Sequence, residues 1–312
     1  MEKVIFDTNA YRYLVSNVKF EEIDKMIEKL HSKEKIRGIQ SLMSPIVITE
    51  LLAHVADKKD SSFEKCLKAL KAVYLHNSEE DQYRILASPE MLIAKAFFNE
   101  ELMKKEESIK AMVQIAFHLS KKPNPYNFKK FQRTLTNIKN HVSNTELFFA
   151  NALKELVTQS DPESKTWRIF PNNQKERQKV LKGIRSDDTS NSIAAGLILP
   201  VYDLLVNENK IQKITVETLQ DMSQEFVKMF PEYIALYKLV FENLVNSEFN
   251  MLEDSRSNFI WDIQLMLNIG NHSVDNEKLY FVTADKAIIS TAIGQNAKYS
   301  ILNFDEYLDY IN

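Results

Sequence analysis

Within its first nine residues the chain runs Val4-Ile5-Phe6-Asp7-Thr8-Asn9, and no other stretch constrains its fold as much. Three apolar, β-prone residues deliver an acid, then two residues that favour turns and helix starts over a continued strand. In an open parallel sheet, ligands bind just beyond the carboxyl ends of the strands. A central strand here would set Asp7 at such an edge, so the next question is which other segments bring acids to it.

Strand and helix alternate through the first hundred residues, the pattern of a parallel α/β sheet. Phe20 to Lys35 carries apolar residues at Phe20, Ile23, Met26, Ile27 and Leu30, helical spacing with a charged outer face. Gly38 to Leu42 is a short second strand. Ser44 then Pro45 predicts a helix start, the hydroxyl as cap and the proline at the first helical position. Glu50 and His54 share a face of that helix. Ser61 to Leu75 reads as another amphipathic helix, Tyr83 to Leu86 as a weak third strand, and Ser88-Pro89 opens a helix through about Lys104. From there the alternation stops. Prolines punctuate helical segments at Phe128 to Asn140, Thr145 to Thr158, Lys175 to Ile184, Val216 to Met229 and Glu232 to Leu244. A helix over Ser255 to Ile269, closed by Gly270-Asn271, precedes two last strands, Leu279 to Val282 and Lys298 to Leu302. The expectation is an α/β domain over 1–104 and 251–312, a parallel sheet flanked by helices, split by a mostly helical insertion over 105–250.

Composition narrows the chemistry. Only 5 glycines in 312 residues, against a usual share of roughly 7%, argue for much helix and few tight turns. There is neither GxGxxG nor a P-loop. Cys66 is the lone cysteine, which excludes an internal disulfide or a cysteine-built zinc site, and six scattered histidines offer no HExxH. Met1-Glu2-Lys3 leads straight into the first strand, so the expectation is a start without a signal peptide. The longest apolar stretch, Ile193 to Val206, is broken by Pro200 and Asp203 and reads as too short to span a bilayer. The expectation is a cytoplasmic chain with no membrane partner. A net charge of −3 gives no overall attraction to nucleic acid, so the distribution of charge matters more than its sum.

Three acids are candidates to join Asp7: Glu50 in Ile46-Val47-Ile48-Thr49-Glu50-Leu51, Asp262 in Phe259-Ile260-Trp261-Asp262-Ile263, and Asp285 in Phe281-Val282-Thr283-Ala284-Asp285. Each has a plainer account. Asp7 and Asp285 suit helix caps, and a helical glutamate is usually solvated. Asp262 resists that account, because a lone charge between Trp261 and Ile263 would be costly to bury; Asn258 lies one turn before it. Asp188, in the acidic first turn of an apolar helix, is a minor candidate whose simpler role is to face the helix dipole. Four carboxylates at one edge would repel unless a cation neutralised them. All-oxygen ligation suits Mg²⁺ or Mn²⁺, with Asn9 and Thr283 orienting the ligands or a phosphate. His54 is better suited to a structural or phosphate contact than to ligation.

In the order and spacing of these acids the chain resembles the PIN-domain nucleases. That family sets an acid after its first strand, a glutamate on an early helix, an aspartate on a late helix and a Thr/Ser-x-Asp after the next strand. The 23 positions between Asp262 and Asp285 suit its helix-loop-strand step, and Tyr299 to Tyr307 looks like its last strand and closing helix. The resemblance covers about the first 100 and last 60 residues. It implies a PIN-like core, with Asp7, Glu50, Asp262 and Asp285 as metal ligands and catalytic acids. It implies Mg²⁺- or Mn²⁺-dependent phosphodiester hydrolysis leaving a 5′-phosphate, in toxin-like, RNA-processing or phage-defence roles. The chain is roughly twice the size of the compact toxin members, a departure from the simple toxin–antitoxin pattern and its usual dimer surface, and a homodimer stays open.

The insertion carries the basic charge. From Ser108 to Thr145 there is no acid but seven bases, among them Lys121, Lys122, Lys129, Lys130, Arg133 and Lys139, interleaved with Tyr126, Phe128 and Phe131. A second cluster includes Lys165, Arg168, Lys175, Arg177, Lys179, Lys182 and Arg185, with Trp167 inside it. Bases beside aromatics suit single-stranded nucleic acid, through phosphate contacts and base stacking, although a solvated helical face over core aromatics looks the same in sequence. The leading expectation is an endoribonuclease acting on single-stranded RNA, with an inhibitor or partner protein open. The alternatives are a DNA or structure-specific nuclease, a PIN-like scaffold that binds without cutting, and a haloacid-dehalogenase-like phosphatase. The last requires Asp-x-Asp after the first strand, where Asn9 stands.

Overall fold

The strands Glu2–Phe6 (β1) and Leu279–Val282 (β5) pair in parallel with Phe6 opposite Val282. They form the middle of a four-stranded parallel sheet of order β2-β1-β5-β6, with Ile39–Ser41 (β2) and Tyr299–Leu302 (β6) outside them. The computed structural model describes residues 2–79, 82–160, 173–246, 259–268, 279–286, 288–289 and 299–312. Around the sheet and beyond it lie α1 (Thr8–Leu14), α2 (Ile23–Arg37), α3 (Pro45–Val55), α4 (Phe63–His76), a small antiparallel ribbon of β3 (Ser78–Glu79) and β4 (Gln82–Tyr83), α5 (Pro89–Phe98), α6 (Met103–Lys121), α7 (Pro125–Ser160), α8 (Gln174–Ile184), α9 (Asp187–Asn207), α10 (Val216–Met229), α11 (Pro231–Asn246), α12 (Phe259–Leu265) and α13 (Phe304–Ile311). The protein is therefore mostly helical and broadly α/β.

The central strands are apolar along their length because both faces are covered: Val4, Ile5 and Phe6 on β1 and all four residues of β5 are buried. On one face the Phe6 ring meets Tyr11, His76, Phe304 and Tyr307, with centroids 4.9–5.9 Å away. Gly38 ends α2 with φ +69°, the left-handed conformation that lets the chain turn at once into β2.

Two compact units emerge: Met1–Met91, Leu102–Ser143 and Ser273–Asn312 in the first, and Leu92–Glu101 with Asn144–His272 in the second. This division departs from the expected insertion over 105–250. The α6 helix packs on α3 and α4, so it and the first half of α7 belong with the sheet, whereas α12 packs on α11 in the second unit. In that second unit, Phe226 packs tilted against Phe230 at 4.7 Å and edge-on against Tyr233 at 5.9 Å, and α9 packs on α10.

Several expected boundaries move. The helix expected through Lys104 stops at Phe98, because Asn99 takes φ +52° and α6 starts afresh at Met103. The two helices expected across Phe128 to Thr158 are one helix of 36 residues. Tyr83 to Leu86 adds no strand to the main sheet; Gln82–Tyr83 folds back on Ser78–Glu79, and Ile85 makes one parallel bridge to Met43. Ser44 occupies the cap position of α3, yet its buried hydroxyl finds no partner among the described residues. The expected close at Gly270-Asn271 lies outside those residues.

The apolar stretch at Ile193 to Val206 also departs from expectation. It continues as the 21-residue α9, long and apolar enough by length and composition to cross a membrane, with 28% of its apolar window buried. Ser190, Ala194, Ile198, Val201 and Leu205 form its buried stripe.

Candidate active site

Strand order sets a switch point. The chain passes from β1 to β2 on one side and from β5 to β6 on the other, so the direction of winding reverses between β1 and β5. In open α/β sheets, ligands bind beyond the carboxyl ends of the strands at such a point. Asp7 follows β1 and Asp285 follows β5, on the two strands that flank it.

Asp7 is 2% exposed, and its backbone N–H donates to the Val282 carbonyl at 3.0 Å, extending the ladder by one residue. Its Oδ1 accepts the Ala10 N–H at 2.5 Å and caps α1. Its Oδ2 accepts the Thr283 hydroxyl, also at 2.5 Å. Thr283 in turn accepts the Asp285 backbone N–H at 2.9 Å, and Asp285 Oδ1 takes the Ile288 N–H at 3.0 Å. Asp7 is thus a helix cap, and the two acids are also joined through one threonine. Burial pushes the Asp7 carboxyl up to about 6; the charge on Asp285 adds to this, against the Thr283 and Ala10 hydrogen bonds that pull it down.

Glu50 joins through the next residue. The Thr8 hydroxyl donates to Glu50 Oε2 at 2.6 Å, tying the first turn of α1 to the middle of α3. The apolar run Ile46 to Leu52 buries α3 and holds the half-buried Glu50 on its one polar face. His54, one turn on, is 2.8 Å from Asp60 Oδ2 through Nδ1. Arg12 donates from Nε and Nη2 to Cys66 Sγ at 3.3 and 2.9 Å. Asn9 is exposed in the first turn of α1.

The first unit therefore brings together Asp7, Thr8, Thr283, Asp285 and Glu50. Asp262 belongs to the second unit, half-buried on α12 beside Trp261, whose indole N–H donates to Glu146 at 2.9 Å. Asn258 lies outside the described residues. Asp188 is exposed in the first turn of α9, beside a groove of about 460 Å³ between α9 and α10. Sequence reasoning passes over Thr8; the signal that could find it is its place directly after the strand-end acid.

The bases divide by their partners. Lys121, Lys122, Lys129, Lys130 and Arg133 are exposed at the end of α6 and on α7, with Tyr126 exposed beside them. Lys139 is 3.1 Å from Asp57, and Arg185 makes a two-pronged pair with Glu242 at 2.9 and 2.7 Å. Both are spent on carboxylates. In the second unit Lys175 and Lys179 are exposed and Arg177 is half-buried, while Lys165, Trp167 and Arg168 lie outside the described residues. Phe128 is a core residue against Phe63 at 5.6 Å.

No family model, no curated protein and no solved structure matches the chain.

Proposed function

We propose that the protein is a PIN-like, metal-dependent nuclease that cuts single-stranded RNA, with its centre on Asp7, Glu50 and Asp285. One observation carries this reading: two acids at the ends of adjacent parallel strands, joined through Thr283, one of them buried with its carboxyl pushed up to about 6. Capping explains the hydrogen bonds but not the charge, since a desolvated carboxylate beside a second acid is costly unless something neutralises it.

The donor set fits a hard divalent cation, being carboxylate oxygens alone. Asp7, Asp285 and Glu50 would hold Mg²⁺ or Mn²⁺, which supplies an activated water and offsets charge building on a phosphodiester. The chain's own residues do the rest. Thr283 orients Asp7 and fixes its distance from Asp285. Thr8 turns the Glu50 carboxylate toward the same strand end. Asn9, exposed in the first turn of α1, would donate to a substrate phosphate. The exposed bases of α6 and α7, with Tyr126, supply charge and a stacking face for the strand.

The test is the purified chain with labelled RNA and DNA, in Mn²⁺ or in EDTA. Cleavage of single-stranded RNA is expected with Mn²⁺ and is lost in Asp7→Asn and Asp285→Asn while the fold is kept. Unchanged cleavage in both variants would remove these residues from the mechanism; DNA cut in preference to RNA would change the substrate class.

A further inference from the structure

Away from the carboxylates, three other side chains each bring one ligand atom within 4.8 Å of the others: His31, Glu34 and His76. His31 and Glu34 are three apart on one face of α2, and His76 closes α4. His76 Nε2 lies 2.9 and 3.0 Å from the two oxygens of Glu34, and the His31 ring stacks on His76 with centroids 5.6 Å apart.

Each ligand is aimed by a partner behind it. The Tyr11 hydroxyl, which accepts from Asn77 Nδ2 at 2.8 Å, sits 2.9 Å from His76 Nδ1. Tyr307 donates to Glu34 Oε1 at 2.6 Å. His31 Nε2 contacts the His76 carbonyl at 2.6 Å, which leaves Nδ1 as that ring's acceptor. Metal-bound histidines are held in this way, one nitrogen on the ion and the other on an oxygen. A cavity of about 240 Å³, lined by His31 and Glu34 with Gln40, Ser41 and Arg84 among others, lies beside the cluster. A buried Glu34–His76 pair would be complete as a hydrogen bond and would need neither His31 nor the cavity.

We propose that His31, Glu34 and His76 form a second metal site, specific for Zn²⁺-like cations and separate from the carboxylate centre. Two imidazoles and one carboxylate are the donor set Zn²⁺ favours and Mg²⁺ does not. Coordination through His76 Nε2 places the ring hydrogen on Nδ1, where the Tyr11 oxygen accepts it. The ion would clamp α2 to the end of α4 and, through Tyr11, steady the helix that Asp7 caps.

The test uses the full chain, stripped with chelator and titrated with Co²⁺ alone, followed by visible absorption, and with Zn²⁺ alone, followed by thermal unfolding. One equivalent of Co²⁺ should give visible bands, unchanged in the Asp7→Asn/Asp285→Asn variant. His31→Gln and Glu34→Gln should weaken binding by more than the roughly 10–100-fold expected for losing an outer partner. Zn²⁺ should raise the unfolding temperature of the parent chain but not of His31→Gln, a change at a half-buried position. Absent bands in the parent chain, bands retained in His31→Gln, or bands lost with Asp7 and Asp285 would each overturn the proposal.

Discussion

Thr283 gives its hydroxyl hydrogen to Asp7 Oδ2 at 2.5 Å while accepting the Asp285 N–H at 2.9 Å, so one side chain spans the two strand-end acids. The donated bond is one of the forces that lower the Asp7 carboxyl against its burial. Thr283→Val keeps the shape and removes that donor. We predict that the pH at which Mn²⁺-dependent cleavage reaches half its maximum moves upward, because the proton competes longer for Asp7. Thr283→Ser should restore the parent profile. A profile unmoved by Thr283→Val would exclude the hydroxyl from this role.

Metal-free stability should fall as pH rises through the Asp7 window. The folded value, about 6, lies above the ordinary aspartate value of 3.8. The stabilising difference is therefore full below about pH 4 and lost as pH climbs through 6. Asp7→Asn retains a side chain suited to capping α1 and has no charge to bury. In EDTA at pH 7 to 8 it should be more stable than the parent by on the order of 2–3 kcal/mol. Thermal unfolding of both chains from pH 4 to 8 decides this; parallel curves would refute it.

Charge reversal at Lys129, Lys130 and Arg133 should weaken binding to single-stranded RNA and flatten its salt dependence by roughly 0.7 for each phosphate no longer neutralised. Arg185→Glu is the control, since Arg185 is already paired with Glu242. The measurement is affinity across a salt series. Equal slopes for parent and triple variant would assign the cluster to solvation.

Gly38→Ala isolates a backbone effect. A Cβ there meets nothing within 4 Å, but φ +69° strains any side chain. The expected loss is about 1 kcal/mol, with Gly38→Asn losing less. Chemical denaturation measures both, and a neutral Gly38→Ala would show that the turn relaxes.

What was legible in the amino-acid order was local. Val4 to Phe6 followed by Asp7 announces a buried strand ending in an acid, and Thr283-Ala284-Asp285 announces the second, because strand and cap preferences act within a few residues. The Val216–Met229 helix appears at its expected limits, with the Thr215 hydroxyl accepting from Thr218 at its start. What packing decided was everything paired over distance. Thr8 reaches Glu50 across 42 positions and Thr283 reaches Asp7 across 276, separations for which no periodicity carries a signal. The division into units turned on α6 packing against α3 and α4, a matter of which apolar faces meet. The His31–Glu34–His76 cluster left only a faint trace, a histidine and a glutamate three apart on one helix. Its third member comes from another helix and is aimed by a tyrosine 65 positions away. Short-range preferences set where elements start and which side chains they carry to their ends; the burial of shared apolar faces sets which of those ends meet.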